Sequence, residues 1–130
     1  NTNSNVSGTS TSWTTLWTVS ITGITSTSKV IVDMRVTNLI EGSEECEWKI
    51  VRASDGVAIC GSLIHRSASL SGWGHSYPNL IGVDTAPSAG TNSYSLQVRG
   101  VGATPHYWWN YPGVNAINSY TYATITEVAQ

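Results

Sequence analysis

Three histidines, two cysteines and eight carboxylates are the side chains with which this 130-residue chain could pull a proton, attack a carbonyl or hold a metal. Nucleophilic hydrolysis needs a Ser or Cys beside a base and an orienting carboxylate. Serines are plentiful and His65, His75 and His106 are present, but no Gly-x-Ser-x-Gly elbow accompanies them. The histidines lie far apart, no Cys-x-x-Cys occurs, and no acidic loop has calcium-ligand spacing. Glu41, Glu44, Glu45 and Glu47 form the one acidic cluster, read as a solvated connection, with a weak divalent-cation site as the alternative. A glycosidase would need two carboxylates facing each other across a cleft. Asp33 and Asp84 can be paired on paper, yet nothing in the sequence brings them together. The expectation is a protein that is not an enzyme, with no cofactor and no metal site.

The aromatics carry a stronger signal. Two stretches, His65 to Asn79 and Gly100 to Asn115, hold Gly72-Trp73-Gly74-His75-Ser76-Tyr77-Pro78 and Pro105-His106-Tyr107-Trp108-Trp109-Asn110-Tyr111-Pro112-Gly113. Both break the periodicity of the rest of the chain and are expected to be loops. Loops this long usually have a job or are disordered, and aromatic density argues against disorder. Trp and Tyr present large rigid faces with one polar atom, which suits stacking on sugars and protein hot spots. The candidate ligand-binding residues are therefore Trp73, His75, Tyr77, His106, Tyr107, Trp108, Trp109, Asn110 and Tyr111. The competing reading makes Trp108 or Trp109 a buried lid on one end of the fold.

The elements that must position these residues show period-two alternation, the mark of half-buried strands. Trp17, Val19 and Ile21 alternate with Thr18, Ser20 and Thr22, and Val30, Val32, Met34 and Val36 with Ile31, Asp33, Arg35 and Thr37. Cys46, Trp48 and Ile50 share a face, as do Tyr94, Leu96 and Val98, and Leu80 to Val83 is a short apolar run. Turns are expected at 23–28, at Ala53-Ser54-Asp55-Gly56 between strands Trp48–Arg52 and Val57–Leu63, and at Ser88-Ala89-Gly90-Thr91. In that hairpin a two-residue Asp55-Gly56 loop sets Val51 opposite Cys60 and a four-residue loop sets Lys49 there; both place Cys46 and Cys60 on opposite faces and out of step, so no disulfide is expected between them. Seven to nine strands without a helical stripe predict an all-β fold, an antiparallel β-sandwich of jelly-roll-like form. Residues 1–12, rich in Ser, Thr and Asn, read as a polar arm or linker, and 13–130 as the sandwich domain. The last strand, Ala116 to Val128, carries Tyr120 and Tyr122 on one face and Ala123 and Ile125 on the other. Two occupied faces are best explained by packing on a neighbouring subunit, and a homotrimer is expected.

Composition narrows the partners. Charged residues make up 11% of the chain, less than half the usual share, and the net charge is -2. The basic residues Lys29, Arg35, Lys49, Arg52, Arg66 and Arg99 are scattered, leaving no footprint for nucleic acid or an acidic membrane. No apolar run approaches the roughly 18 to 20 residues of a membrane span. The absence of an initiating Met suggests a processed chain or a piece of a longer polypeptide. Asn5-Val6-Ser7 fits the glycosylation sequon, a triplet common by chance.

The stretch from Val83 to Arg99, with Asp84-Thr85-Ala86-Pro87, Gly90-Thr91 and Tyr94-Ser95-Leu96, resembles a segment of phage virion surface domains, the compact β-sandwiches of tail-fibre heads and trimeric jelly rolls. The openings Trp13 to Val19 and Ser26 to Val32, and the ending Tyr122 to Val128, look similar. The resemblance implies a virion-surface location, contact with other virion proteins, and either host-receptor binding at a fibre tip or capsid decoration. It transfers no binding residue. The leading expectation is a virion-exterior attachment protein that binds a host-surface glycan or protein through its aromatic segments. A cementing protein without receptor binding and a free carbohydrate-binding module or lectin are the alternatives.

Overall fold

The computed structural model describes residues 6–36, 38–41, 45–61, 63–66, 73–76, 78–101, 107–109 and 122–129. The described residues form eleven strands and no helix. In chain order these are β1 (Val6–Gly8), β2 (Thr14–Ile24), β3 (Lys29–Arg35), β4 (Asn38–Glu41), β5 (Glu45–Arg52), β6 (Leu63–Arg66), β7 (Trp73–Ser76), β8 (Asn79–Asp84), β9 (Gly90–Val101), β10 (Tyr107–Trp109) and β11 (Tyr122–Val128). They pair antiparallel in three sheets, ordered β2-β9-β5-β6, β11-β3-β8 and β1-β10-β4-β7. The fold is thus an all-β antiparallel sandwich.

Alternation decides which face is buried. Val30, Val32, Met34 and Val36 from one layer meet Cys46, Trp48, Ile50, Tyr94, Leu96 and Val98 from the other in one core. In β2 the register shifts between Thr15 and Trp17, so that Leu16 is an extra residue against β9. This bulge brings Trp17, Val19 and Ile21 into the rows of Leu96, Tyr94 and Asn92, on the core side. At the far end Asn92 binds the Ser88 amide and carbonyl, closing the turn before Gly90, whose φ of 98° suits glycine.

The second and third sheets share one long ladder. β3 and β8 pair Arg35 with Asn79, β4 and β7 pair Asn38 with Ser76, and the Val36 amide donates to the Pro78 carbonyl between them. The register does not slip across this join. One edge of the β3–β4 run is therefore covered by β8 and β7, the other by β11 and then β10.

Several expectations are corrected. The segments read as loops carry strands, Trp73–Ser76 and Tyr107–Trp109, and β6, Leu63–Arg66, runs into the start of the first segment. At Tyr107–Trp109 consecutive aromatics hid the strand, because a Tyr-Trp-Trp run has high strand propensity but no alternation, and the four-residue strands β6 and β7 are too short to show a period. Against the expected seven to nine strands, the described residues form eleven, most of the added ones being only three or four residues long. Part of the polar arm also belongs to the sandwich: β1 pairs with β10, and the Gly100 amide donates to the Ser10 carbonyl at 2.8 Å. The last strand is β11, Tyr122–Val128, and Tyr120 lies outside the described residues.

The hairpin after β5 is closed by a four-residue loop, with Arg52 N–H to Val57 O at 2.8 Å and Gly56 at φ 73°. The expected strand Val57–Leu63 does not form as one piece. Val51 bridges Ala58, whereas Trp48 faces Leu63, a slip of two residues. In the slip, the Ile59 carbonyl leaves β5 and accepts the Val83 amide of β8, tying the two layers together at a sheet edge. Cys46 and Cys60 are not disulfide-bonded. Gly82 is buried opposite Val32, and a Cβ there would sit 3.0 Å from both the Ile59 carbonyl oxygen and its Cγ1. Gly82→Ala should cost about 1–3 kcal/mol in urea unfolding, since backbone must move to admit the methyl. An unchanged midpoint would show that Ile59 is not seated on this strand.

Candidate functional site

The two aromatic segments are far apart in sequence but flank the same strand. β10 lies on one side of β4 and β7 on the other. The pairing gives three cross-strand rows: Val6–Trp109–Asn38–Ser76, Ser7–Trp108–Leu39–His75, and Gly8–Tyr107–Ile40–Gly74. Glu41 then pairs with Trp73. Adjacent strands are about 4.8 Å apart and residues two apart on a strand about 7 Å, so Trp73, His75 and Trp108 have backbones within a patch on the order of 10 Å across.

The unbroken register also sorts the rows by parity. Val32, Met34 and Val36 are buried, as are Leu80 and Pro78, and counting on by twos reaches Asn38 and Ile40 in β4, and Ser76 and Gly74 in β7. Tyr107 and Trp109 stand in those core-parity rows. Trp108, His75 and Trp73 stand in the rows of outer parity with Leu39 and Glu41. Of the other candidates, Tyr77, His106, Asn110 and Tyr111 lie outside the described residues.

Elsewhere the titratable groups are arranged for structure. Asp84, 1% exposed at the end of β8, takes Arg52 Nε at 2.9 Å and Nη2 at 2.7 Å in a two-pronged pair. It also accepts the Tyr94 hydroxyl at 3.0 Å and the Ala86 amide at 3.0 Å. A third Arg52 nitrogen reaches Asp55 at 2.8 Å. Burial alone would raise the Asp84 carboxyl, but the bonds from Arg52, Ala86 and Tyr94 outweigh it and hold the group below its ordinary range. Burial, reinforced by Asp84, pushes the Tyr94 phenol well up. Every acceptor site is engaged by a donor of the fold, so this cluster clamps β8 to β5 and β9 and offers no free base. Asp33 stands on the opposite parity of β3, facing away from the core that holds Asp84, and the two form no catalytic pair.

The acidic run is also reassigned. Glu41 belongs to β4, Glu45 and Glu47 to β5, and Glu44 lies outside the described residues. Glu47 is 8% exposed and accepts Arg99 Nε at 2.6 Å, a paired carboxylate and not a solvated connection. Above it the Trp13 ring lies 4.1 Å from Lys49 Nζ and 4.8 Å from Arg99 Cζ. These contacts join residues distant in sequence, and no local pattern announced them. No group of three or more His, Cys, Asp or Glu capable of holding a metal occurs among the described residues. No described helix is long and apolar enough to cross a membrane. No protein-family model matches the chain, and no curated protein matches it.

Proposed function

We propose that this domain is a non-catalytic attachment module of a phage virion exterior, binding a host-surface glycan or protein through the outer-parity aromatics of the β7–β4–β10 sheet. The observation that supports this best is the meeting of Trp73, His75 and Trp108 across one short strand. Backbone positions of two tryptophans and a histidine within roughly 10 Å match the footprint of one or two sugar rings. The virion setting rests on the resemblance of residues 83–99 and of both chain ends to phage surface domains. In that setting the domain works as a homotrimer beside other virion proteins, without nucleic acid and without membrane insertion.

A decoration or cementing role without receptor binding is the second reading. It is favoured by the core parity of Tyr107 and Trp109, the positions from which a ring would close the end of the sandwich. Parity makes the test sharp. Trp108→Ala should weaken attachment to host cells by about 2 kcal/mol or more with the melting temperature nearly unchanged. Trp109→Ala should act mainly on the melting temperature. If Trp108→Ala leaves attachment intact, the receptor-binding reading fails and the decoration role takes its place.

A further inference from the structure

The outer face of the β11-β3-β8 sheet has no assigned role. Its central strand presents Ile31, Asp33 and Arg35 outward, β8 presents Asn79, Ile81 and Val83, and β11 presents Tyr122, Thr124 and Thr126. Ile81 is 56% exposed, Val83 45% and Tyr122 40%. Ile31, Ile81 and Val83 adjoin one another, with Tyr122 across β3 from them, and exposed apolar side chains gathered on a sheet face mark an interaction site more often than a bare surface. Its central strand carries Asp33 in the middle and Arg35 at the end, neither of them in an ion pair with another described residue. Asp33 as a whole is half-buried; its Oδ1 is closed off within the chain and accepts no hydrogen bond, which leaves the carboxylate short of a partner that only its other oxygen can meet from outside. Arg35, two residues along the same strand, lies with its guanidinium 5.3 Å from the Tyr122 ring centre, on an aromatic and not on a carboxylate.

We propose that this face docks a second copy of the chain, with Asp33 of one copy taking Arg35 of the next. The occupant follows from charge. The patch holds one anion and one cation side by side, about 7 Å apart along an extended strand, so it is complementary to itself. An acidic or basic partner would satisfy one charge and oppose the other. Each copy supplies both halves, so about a closed symmetry axis every Asp33 meets an Arg35 of a neighbouring copy. On β8 Ile81 stands beside Asp33 and Asn79 beside Arg35, with Val83 one row beyond, so Ile81 is the apolar neighbour that excludes water from the ionic contact and strengthens it. The proposal deepens the reading that the domain self-associates and names the surface that does it.

Sedimentation at tens of micromolar tests it on the whole chain. The wild type should associate. Asp33→Arg and Arg35→Asp should each weaken association by 10-fold or more, and the double exchange should restore most of it, because the pair is then reversed on every copy. Ile81→Glu, at an exposed position with no core contact to lose, should also give monomer. Circular dichroism verifies that each variant keeps its strands. A wild type that associates equally well in all single variants overturns this face while leaving self-association standing. A wild type that runs as a 13.9 kDa monomer overturns both.

Discussion

Asp84→Ala should lower stability by about 3–5 kcal/mol, seen as a reduced urea midpoint, because it strands a mostly buried guanidinium. Arg52 is held on Asp84 by two bonds of 2.9 and 2.7 Å, and its remaining contact is with the more exposed Asp55. The substitution also leaves the Tyr94 hydroxyl and the Ala86 amide without their acceptor. The same clamp makes a pH prediction. Asp84 is depressed in the folded state, so the unfolded chain takes up its proton first as the solution is acidified. The stability it supplies is complete above the ordinary carboxylate value of about 4 and is lost as pH falls through the depressed value. Between about pH 5 and pH 2 the wild type should therefore lose more stability than Asp84→Ala. Parallel acid losses in the two proteins would mean that the carboxylate is not clamped.

Trp48→Ala should cost a comparable amount, about 3–5 kcal/mol. Trp48 is fully buried at the middle of β5, opposite Val98 on one side and Leu63 on the other, and is the largest fully buried side chain among the described residues. Removing it opens a cavity between two sheets whose backbones are fixed by their ladders and cannot collapse inward. Its indole N–H has no hydrogen-bond partner, so the loss is one of packing. Trp48→Phe keeps most of the apolar volume and discards the unsatisfied donor, and its cost should be clearly smaller, about 1–2 kcal/mol. Chemical denaturation of both variants separates the terms. If the two cost the same, the N–H has an acceptor after all.

What could be read from the order of residues is the division between inside and outside. Val30, Val32, Met34 and Val36, then Trp48 and Ile50, then Tyr94, Leu96 and Val98 were all assignable to the core side, because a strand turns alternate residues to opposite faces wherever it pairs. Cys46 and Cys60 are unbridged as expected, but not for reasons of strand parity: Cys60 lies in the break between Ala58 and Leu63 and packs against the core that holds Cys46. The candidate residues Trp73, His75 and Trp108 were legible as unusual chemistry but not as one site, and their segments were misread as loops.

Pairing across distance was decided by tertiary structure. Nothing near Tyr107–Trp109 or Trp73–Ser76 in the chain names β4 as their common neighbour, and which strands meet depends on closing long loops against all competing partners. The Leu16 bulge and the slip at Ile59 and Cys60 likewise depend on what lies opposite, since an extra residue is felt only against a partner strand. The Arg52–Asp84 clamp joins residues 32 positions apart, and a two-pronged ion pair forms only when two layers hold both ends at once. Alternation is a local property and so belongs to the sequence. Partner, register and charge pairing are properties of the packed sheets.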